Sequence, residues 1–284
     1  MIGVLLYTPS RSLVLFFIFV LGMQTAAMAD NSSRVEVDDS TIGFSSPGNA
    51  YGPWIFQNAR YVFVIPGEGA INFEASHQAN GDVNFPTHGN YFAAGITHDF
   101  TSRFYGNVSF GYGTANPYAK TDIHVELNYK TTPDLRFVVS GAEDFVAYWS
   151  GQSLEQLSIG PSYYYPQGSV QVRYLCAANS GAQTKSGAYV AWDIDPNRRS
   201  KYSLTGLFGP QQFLVTLPGV PLSLANYTGE TYTISTEQQI GRLSAAGLRW
   251  GVKAGGFFSQ LNQSAGGAPV YFGRGATFGV WTTY

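Results

Sequence analysis

The sequence predicts an all-β protein: a transmembrane, antiparallel, up-and-down β-barrel of about fourteen strands, with twelve as the alternative count. Three observations carry that expectation. Polar and apolar residues alternate with period two in segments of roughly ten residues. Beyond residue 29 no stretch approaches the roughly 20 consecutive apolar residues that a membrane-spanning helix requires. Tight turns alternate with longer, irregular connections, the plan of outer-membrane barrels.

Composition narrows the class. Of the 284 residues, 12% are charged, about half the soluble norm of roughly 25%, while 44% are hydrophobic and 15% aromatic. Disordered chains are charge-rich and aromatic-poor, so disorder is excluded. Sixteen Lys and Arg against eighteen Asp and Glu leave no basic footprint, which excludes nucleic acid as a partner.

The first 29 residues read as a cleaved secretory signal. Arg11 is their one charge, Leu13–Gly22 is an apolar run too short to span a bilayer comfortably, and Ala27-Met-Ala29 is a small-x-small cleavage pattern. An uncleaved anchor is the alternative. Residues 30–284 then form the barrel domain, with 15 basic and 18 acidic residues once Arg11 is removed, a net charge of −3. Cys176 is the one cysteine, so no internal disulfide staples the exported chain.

The strands are expected near 33–44, 54–65, 70–79, 89–100, 103–114, 119–131, 135–145, 153–165, 168–178, 185–194, 201–209, 229–239, 245–258 and 270–284. The clearest is Asp122-Ile-His-Val-Glu-Leu-Asn-Tyr-Lys130, with Ile123, Val125, Leu127 and Tyr129 on one face and Asp122, His124, Glu126, Asn128 and Lys130 on the other. Gly168–Cys176 and Glu230–Glu237 repeat the scheme. A soluble sandwich also alternates, but the connections favour a barrel. Pro66-Gly-Glu-Gly69, Thr131-Thr-Pro-Asp134, Tyr165-Pro-Gln-Gly168 and Asp195-Pro-Asn-Arg-Arg-Ser200 are reversals. Asn80–His88, Asn179–Lys185, Gly209–Thr228 and Gln260–Pro269 are the longer loops between them. Closure follows because lipid cannot satisfy a free sheet edge.

The last strand alternates back from Tyr284, and a terminal aromatic residue resembles the recognition signal of bacterial outer-membrane barrels. It implies the bacterial outer membrane, its lipid, and the barrel-assembly machinery as partners. Tyr51, Trp54, Tyr148, Trp149, Tyr163, Tyr164 and Tyr165 near strand ends suit interfacial girdles. Gly111-Tyr-Gly-Thr-Ala-Asn-Pro-Tyr118, Ile159-Gly-Pro-Ser-Tyr-Tyr-Tyr165, Val172-Arg-Tyr174 and Ala191-Trp-Asp-Ile-Asp-Pro196 are similar in order and spacing to the YaiO-type outer-membrane β-barrel family. The resemblance implies a barrel linked to cell-surface polysaccharide production or export, and it carries no active site to transfer.

The lumen-lining candidates are Asp122, His124, Glu126, Lys130, Arg136, Arg173, Arg249 and Lys253. Asp122, His124 and Glu126 are suitable metal ligands by type, but residues two apart on a strand are roughly 7 Å apart. A hydrated interior with charges paired across strands is the expectation, with no metal and no cofactor. Mixed signs favour neutral or zwitterionic passage over an ion-selective ring. His77 and His88 flank a loop beside Ser76 and Asp82, the nearest approach to a nucleophile with its base. Glu143-Asp144 and Asp193-x-Asp195 are carboxylate pairs, the first facing opposite ways. Cys176 falls on the apolar face as a small hydrophobe. The Gly209–Thr228 loop is apolar for an exposed segment and is a candidate plug or contact surface.

The expected function is therefore a non-enzymatic channel or secretion accessory for cell-surface saccharide. A barrel enzyme modifying outer-membrane lipid or surface sugar is the alternative, and a structural or adhesin-like barrel the third reading.

Overall fold

The computed structural model describes residues 32–46, 49–80, 88–115, 118–149, 151, 153–179, 184–197, 199–210, 227–243, 247–263 and 269–284. These residues form fourteen strands: β1 Arg34–Ser46, β2 Asn49–Ile65, β3 Gly69–Asn80, β4 His88–Asp99, β5 Phe104–Gly113, β6 Thr121–Lys130 and β7 Phe137–Ala147. The second half is β8 Ser153–Tyr165, β9 Gly168–Asn179, β10 Lys185–Ile194, β11 Ser200–Pro210, β12 Tyr227–Leu243, β13 Leu248–Gln263 and β14 Pro269–Thr283. Each strand pairs antiparallel with its sequence neighbours, and β1 pairs β14 to close the barrel. Beyond that ladder, Ser33 and Tyr284 exchange backbone hydrogen bonds of 2.9 and 3.1 Å. No sheet edge is left to lipid, which has no group to satisfy it.

Lipid solvation turns the usual burial rule inside out. Ile55, Phe73, Ile96, Val125, Leu157, Ile159, Val172, Leu204, Ile234 and Phe278 are all exposed. Alternate residues share a face, so these side chains form one continuous outer surface. The buried polar set, including Glu36, Asp38, Ser76, Gln78, Asn128, Ser140 and Ser259, lies on the other parity.

Connections at the end holding Ser33 and Tyr284 are short. At Pro66-Gly67, Glu68 N donates to Ile65 O at 3.1 Å. Proline presets the first central position of that turn, and Gly67 takes the positive φ of 79° that the second requires. The opposite end carries the longer connections. Short turns face the periplasm and long loops the exterior in outer-membrane barrels. One connection departs from the alternation: β1 and β2 extend to Ser46 and from Asn49, leaving two residues between them at the long-loop end. The expected gap from 45 to 53 is mostly ladder, accommodated by a register shift between Ile42 and Phe44.

The expected signal peptide, residues 1–29, and residues 211–226 of the expected apolar loop lie outside the described residues.

Candidate functional site: the lumen wall

Contacts between strands that are not neighbours locate the inner face. Strands two apart are roughly 10 Å apart, and their side chains converge only on the concave side of a closed sheet. Tyr91 on β4 donates to Asp122 Oδ2 on β6 at 2.6 Å. Arg173 on β9 donates to Glu126 Oε2 on β6 at 2.7 Å. Lys253 on β13 reaches over β14 to Glu36 on β1 at 2.5 Å. These residues therefore face the lumen, and by parity so do the alternate positions of their strands.

The wall from β3 to β9 carries a descending polar ladder. Near the long-loop end Ser76 donates to Glu74 at 3.1 Å, and the Tyr91 and Tyr118 rings stack with centroids 5.5 Å apart. Gly111 makes room for this pair, because a Cβ there would meet the Tyr91 hydroxyl and the Asp122 carboxylate. Burial pushes the phenols of Tyr118 and Tyr148, both just outside the strands, above their ordinary value, so both stay neutral donors. One level down, His124 Nδ1 meets Asp144 Oδ1 at 2.6 Å, and Gln156 donates to Asp144 at 3.4 Å. Glu126 and Arg173 form the next level, followed by Ser140 donating to Asn128 at 2.5 Å. At the short-turn end Lys130 lies over the Tyr105 ring, 5.2 Å from its centroid.

A second cluster straddles the seam. Arg34 on β1 donates to Glu36 at 2.7 Å and to Glu237 on β12 at 2.9 Å, and lies 5.0 Å from the Trp281 ring centroid. Elsewhere Asn58 donates to Asp38 at 2.9 Å, Arg60 lies 3.4 Å from Glu74, and Lys201 lies 3.5 Å from Asp193. Of the inward carboxylates, Glu36, Asp38, Glu74, Asp122, Glu126, Asp144, Asp193 and Glu237 thus each have a partner, and Asp99 shares the parity of Tyr91 at the short-turn mouth of β4. The inner surface on β12 to β14 also carries many small residues, among them Gly255, Gly275, Gly279, Thr231, Thr277 and Ser259, with Phe257 and Trp281 on the same parity.

Asp122, His124, Glu126, Lys130, Arg173 and Lys253 lie on the inner face, and Arg249 shares the parity of Lys253 at the short-turn mouth. Arg136 directly precedes β7 at the short-turn mouth, where its Nε lies 3.6 Å from Asp134. Ser76 and His77 face opposite ways, since Ser76 is bonded to Glu74 inside while His77 is exposed and 2.8 Å from Asn90. They cannot act as nucleophile and base, and Asp82 lies outside the described residues. Trp54 is buried at 2% exposure and is not a girdle residue. Of the expected girdle residues, Tyr163 and Trp149 are exposed at opposite ends, where Tyr129, Trp192, Tyr202 and Trp250 join the first and Tyr112 the second. Among the described residues no group of three or more His, Cys, Asp or Glu is placed to hold a metal ion. Sequence reasoning missed Arg34, Glu36 and Tyr91, although the alternation Arg34-x-Glu36-x-Asp38 was available to find the first two.

A family model, the YaiO membrane β-barrel domain, matches residues 33–211, more than half of the chain. The chain belongs to this family. A YaiO-family barrel with this closed, outward-apolar architecture resides in the bacterial outer membrane. No curated protein matches the sequence. Among solved structures, a FadL homologue from Pseudomonas aeruginosa superposes with a TM-score of 0.53 at 7% identity, covering 89% of this chain and 90% of that one. A mutant of the monoaromatic hydrocarbon channel TodX gives 0.53 at 9% identity, covering 90% and 91%. The monoaromatic hydrocarbon channel CymD gives 0.53 at 7% identity, covering 90% and 88%. At such identities the likeness is one of fold: the YaiO family shares this barrel architecture with outer-membrane channels.

Proposed function

We propose that this barrel is a non-enzymatic conduit for saccharide chains across the outer membrane. The single observation that carries the reading is the inner wall of phenols, amides and internally paired charges. Tyrosine rings offer apolar faces to the C–H faces of sugar rings, and their hydroxyls with Asn128, Gln156 and the carboxylates offer exchangeable hydrogen bonds. Carboxylates already partnered by Arg34, Arg173, Lys253 and His124 present no net field to repel or trap a neutral chain. Multiple weak sites let a chain enter and leave. The test is conductance of the folded barrel in planar bilayers, with linear neutral oligosaccharides added to either side. Brief, concentration-dependent blocks are expected, shortened by Tyr91→Ala. A barrel that passes no current and binds no glycan overturns the proposal.

A second reading rests on His124. Ser109, His124 and Asp144 are cross-strand partners in one inward row, and Asp144 holds Nδ1 of the imidazole, as the orienting carboxylate does in serine hydrolases. Among the described residues no hydrogen bond joins Ser109 to the ring, whose Nε2 lies 3.9 Å from Glu126. Labelling by a fluorophosphonate that Ser109→Ala abolishes transfers the function to hydrolysis; the conduit reading expects no labelling.

A further inference from the structure

The outer surface carries charges that a lipid-facing sheet has no ordinary use for. Glu143 on β7 and Glu155 on β8 are both exposed and both on the outward parity, since Glu143 is registered with Val125 and Leu157, and Glu155 with Phe145. They stand diagonally across the same strand pair, within reach of one side chain. On β14, Arg274 is exposed and outward, registered with Phe258 and Gly43. No hydrogen bond or ion pair involves Glu143, Glu155 or Arg274 among the described residues. The other outward acids are placed differently. Glu230 accepts the Tyr232 hydroxyl at 2.7 Å, and Asp39 lies four residues below Gly43 on β1, beyond the reach of Arg274.

The levels match. Glu143 is six residues above the short-turn end of β7, Glu155 ten above that of β8, and Arg274 nine above that of β14. With a rise of about 2.5 Å per residue along strands tilted roughly 40°, these are about 15, 25 and 23 Å. Arg274 thus stands between the two carboxylates in height, and Glu143 lies well inside an apolar band about 25 Å tall. The shapes match too. On one side of Arg274 the surface drops to a low shelf of Gly43, Gly256 and Ala276, which allows close approach, while Phe258 and Phe272 flank it on the other; Glu143 is ringed by Leu157 and Phe145. The two faces are diametrically opposed, because β7 and β14 are seven strands apart in either direction around the barrel.

We propose that copies of this chain associate side by side in the membrane plane, Arg274 of one barrel inserting between Glu143 and Glu155 of the next. An unpaired carboxylate in hydrocarbon is costly, and pairing with a guanidinium from a second copy at the same depth removes that cost. The contact is head-to-tail between opposite faces, so repeating it builds a straight row of barrels and not a closed ring.

The test uses the full mature barrel reconstituted in phosphatidylcholine vesicles and counted by chemical cross-linking. Heat-dependent gel mobility checks that each variant has folded. The wild type is expected to give a ladder of dimers and higher species. Arg274→Glu alone and Glu143→Arg/Glu155→Arg alone each lose the ladder several-fold. An equimolar mixture of those two variants restores it, because each then meets the other through faces of opposite charge, one contact native and one with the charges exchanged. Glu143→Gln/Glu155→Gln, which inserts more easily than the wild type, also loses it. A wild type that stays monomeric, or a ladder indifferent to these changes, overturns the proposal; lipid headgroups would then be the partners of Glu155 and Arg274.

Discussion

Replacing Lys253 with Met probes how the barrel holds its seam. Lys253 and Glu36 join β13 to β1 over the top of β14, with side chains 18% and 10% exposed. Exposed ion pairs contribute about 0–1 kcal/mol, while removing one partner of a fully buried pair costs about 3–5 kcal/mol. This pair lies between those limits, because Glu36 keeps its bond to Arg34 and the lumen wall is hydrated. Lys253→Met is therefore expected to cost about 1–3 kcal/mol. Glu36→Gln costs a similar amount, since it leaves Arg34 and Lys253 facing each other with one fewer acceptor. The double variant is predicted to cost less than the two singles combined, with a coupling of about 1–2 kcal/mol. Reversible urea unfolding of the lipid-folded barrel, followed by tryptophan emission, measures all four species, and Trp281 beside Arg34 reports on the cluster itself. Costs that add to within about 0.3 kcal/mol would show that no cross-seam interaction exists, and the reasoning would fail.

Other expectations follow from the same geometry. Ile159→Arg places a charge on the lipid face and is expected to cost about 2–4 kcal/mol of folding free energy, whereas Gln156→Arg, inside, costs far less; the same urea assay separates them. Tyr284→Phe removes the hydroxyl that donates to Tyr61 at 2.7 Å and should cost about 0.5–1.5 kcal/mol while leaving the final strand paired. Gly111→Val drives a side chain into the Tyr91–Asp122 contact, and the account expects longer oligosaccharide passage times and a stability loss of about 1–3 kcal/mol. In the β6–β7 turn, the Thr132 hydroxyl and then the Arg136 backbone N–H hold the Asp134 carboxyl below the usual carboxylate range. A lowered folded value stabilises the fold above the unfolded pKa and is lost as pH falls through the folded one. A carbon-13 NMR titration should therefore place the Asp134 midpoint below about 3.9, and Asp134→Asn should weaken the acid-side pH dependence of stability.

The strands were legible because lipid imposes a period-two code on every one of them, so Ile123, Val125 and Leu127 betray both the element and its face. The β1–β2 hairpin was not, because Pro47, Gly48, Gly52 and Pro53 read as a loop, while β1 runs on to Ser46 and β2 starts at Asn49, with a register shift between Ile42 and Phe44. Which residues line the lumen was readable from parity, but their partners were not. Arg173 reaches Glu126 across two intervening strands, a consequence of wall curvature that no local pattern encodes. Trp54 misled because proximity to a strand end does not say which side a ring takes. Glu143 was correctly set opposite to Asp144, but its meaning needed the depth and the opposed face that only the closed barrel supplies.

The account rests most heavily on which side of the sheet meets acyl chains. A nitroxide scan of β8 from Glu155 to Tyr163, in a Cys176→Ala background and in lipid bilayers, tests this directly. Odd positions should collide strongly with dissolved oxygen, and even positions with a water-soluble nickel chelate, alternating residue by residue. A scan with no alternation, or with the two reagents exchanged, would contradict the account at its root.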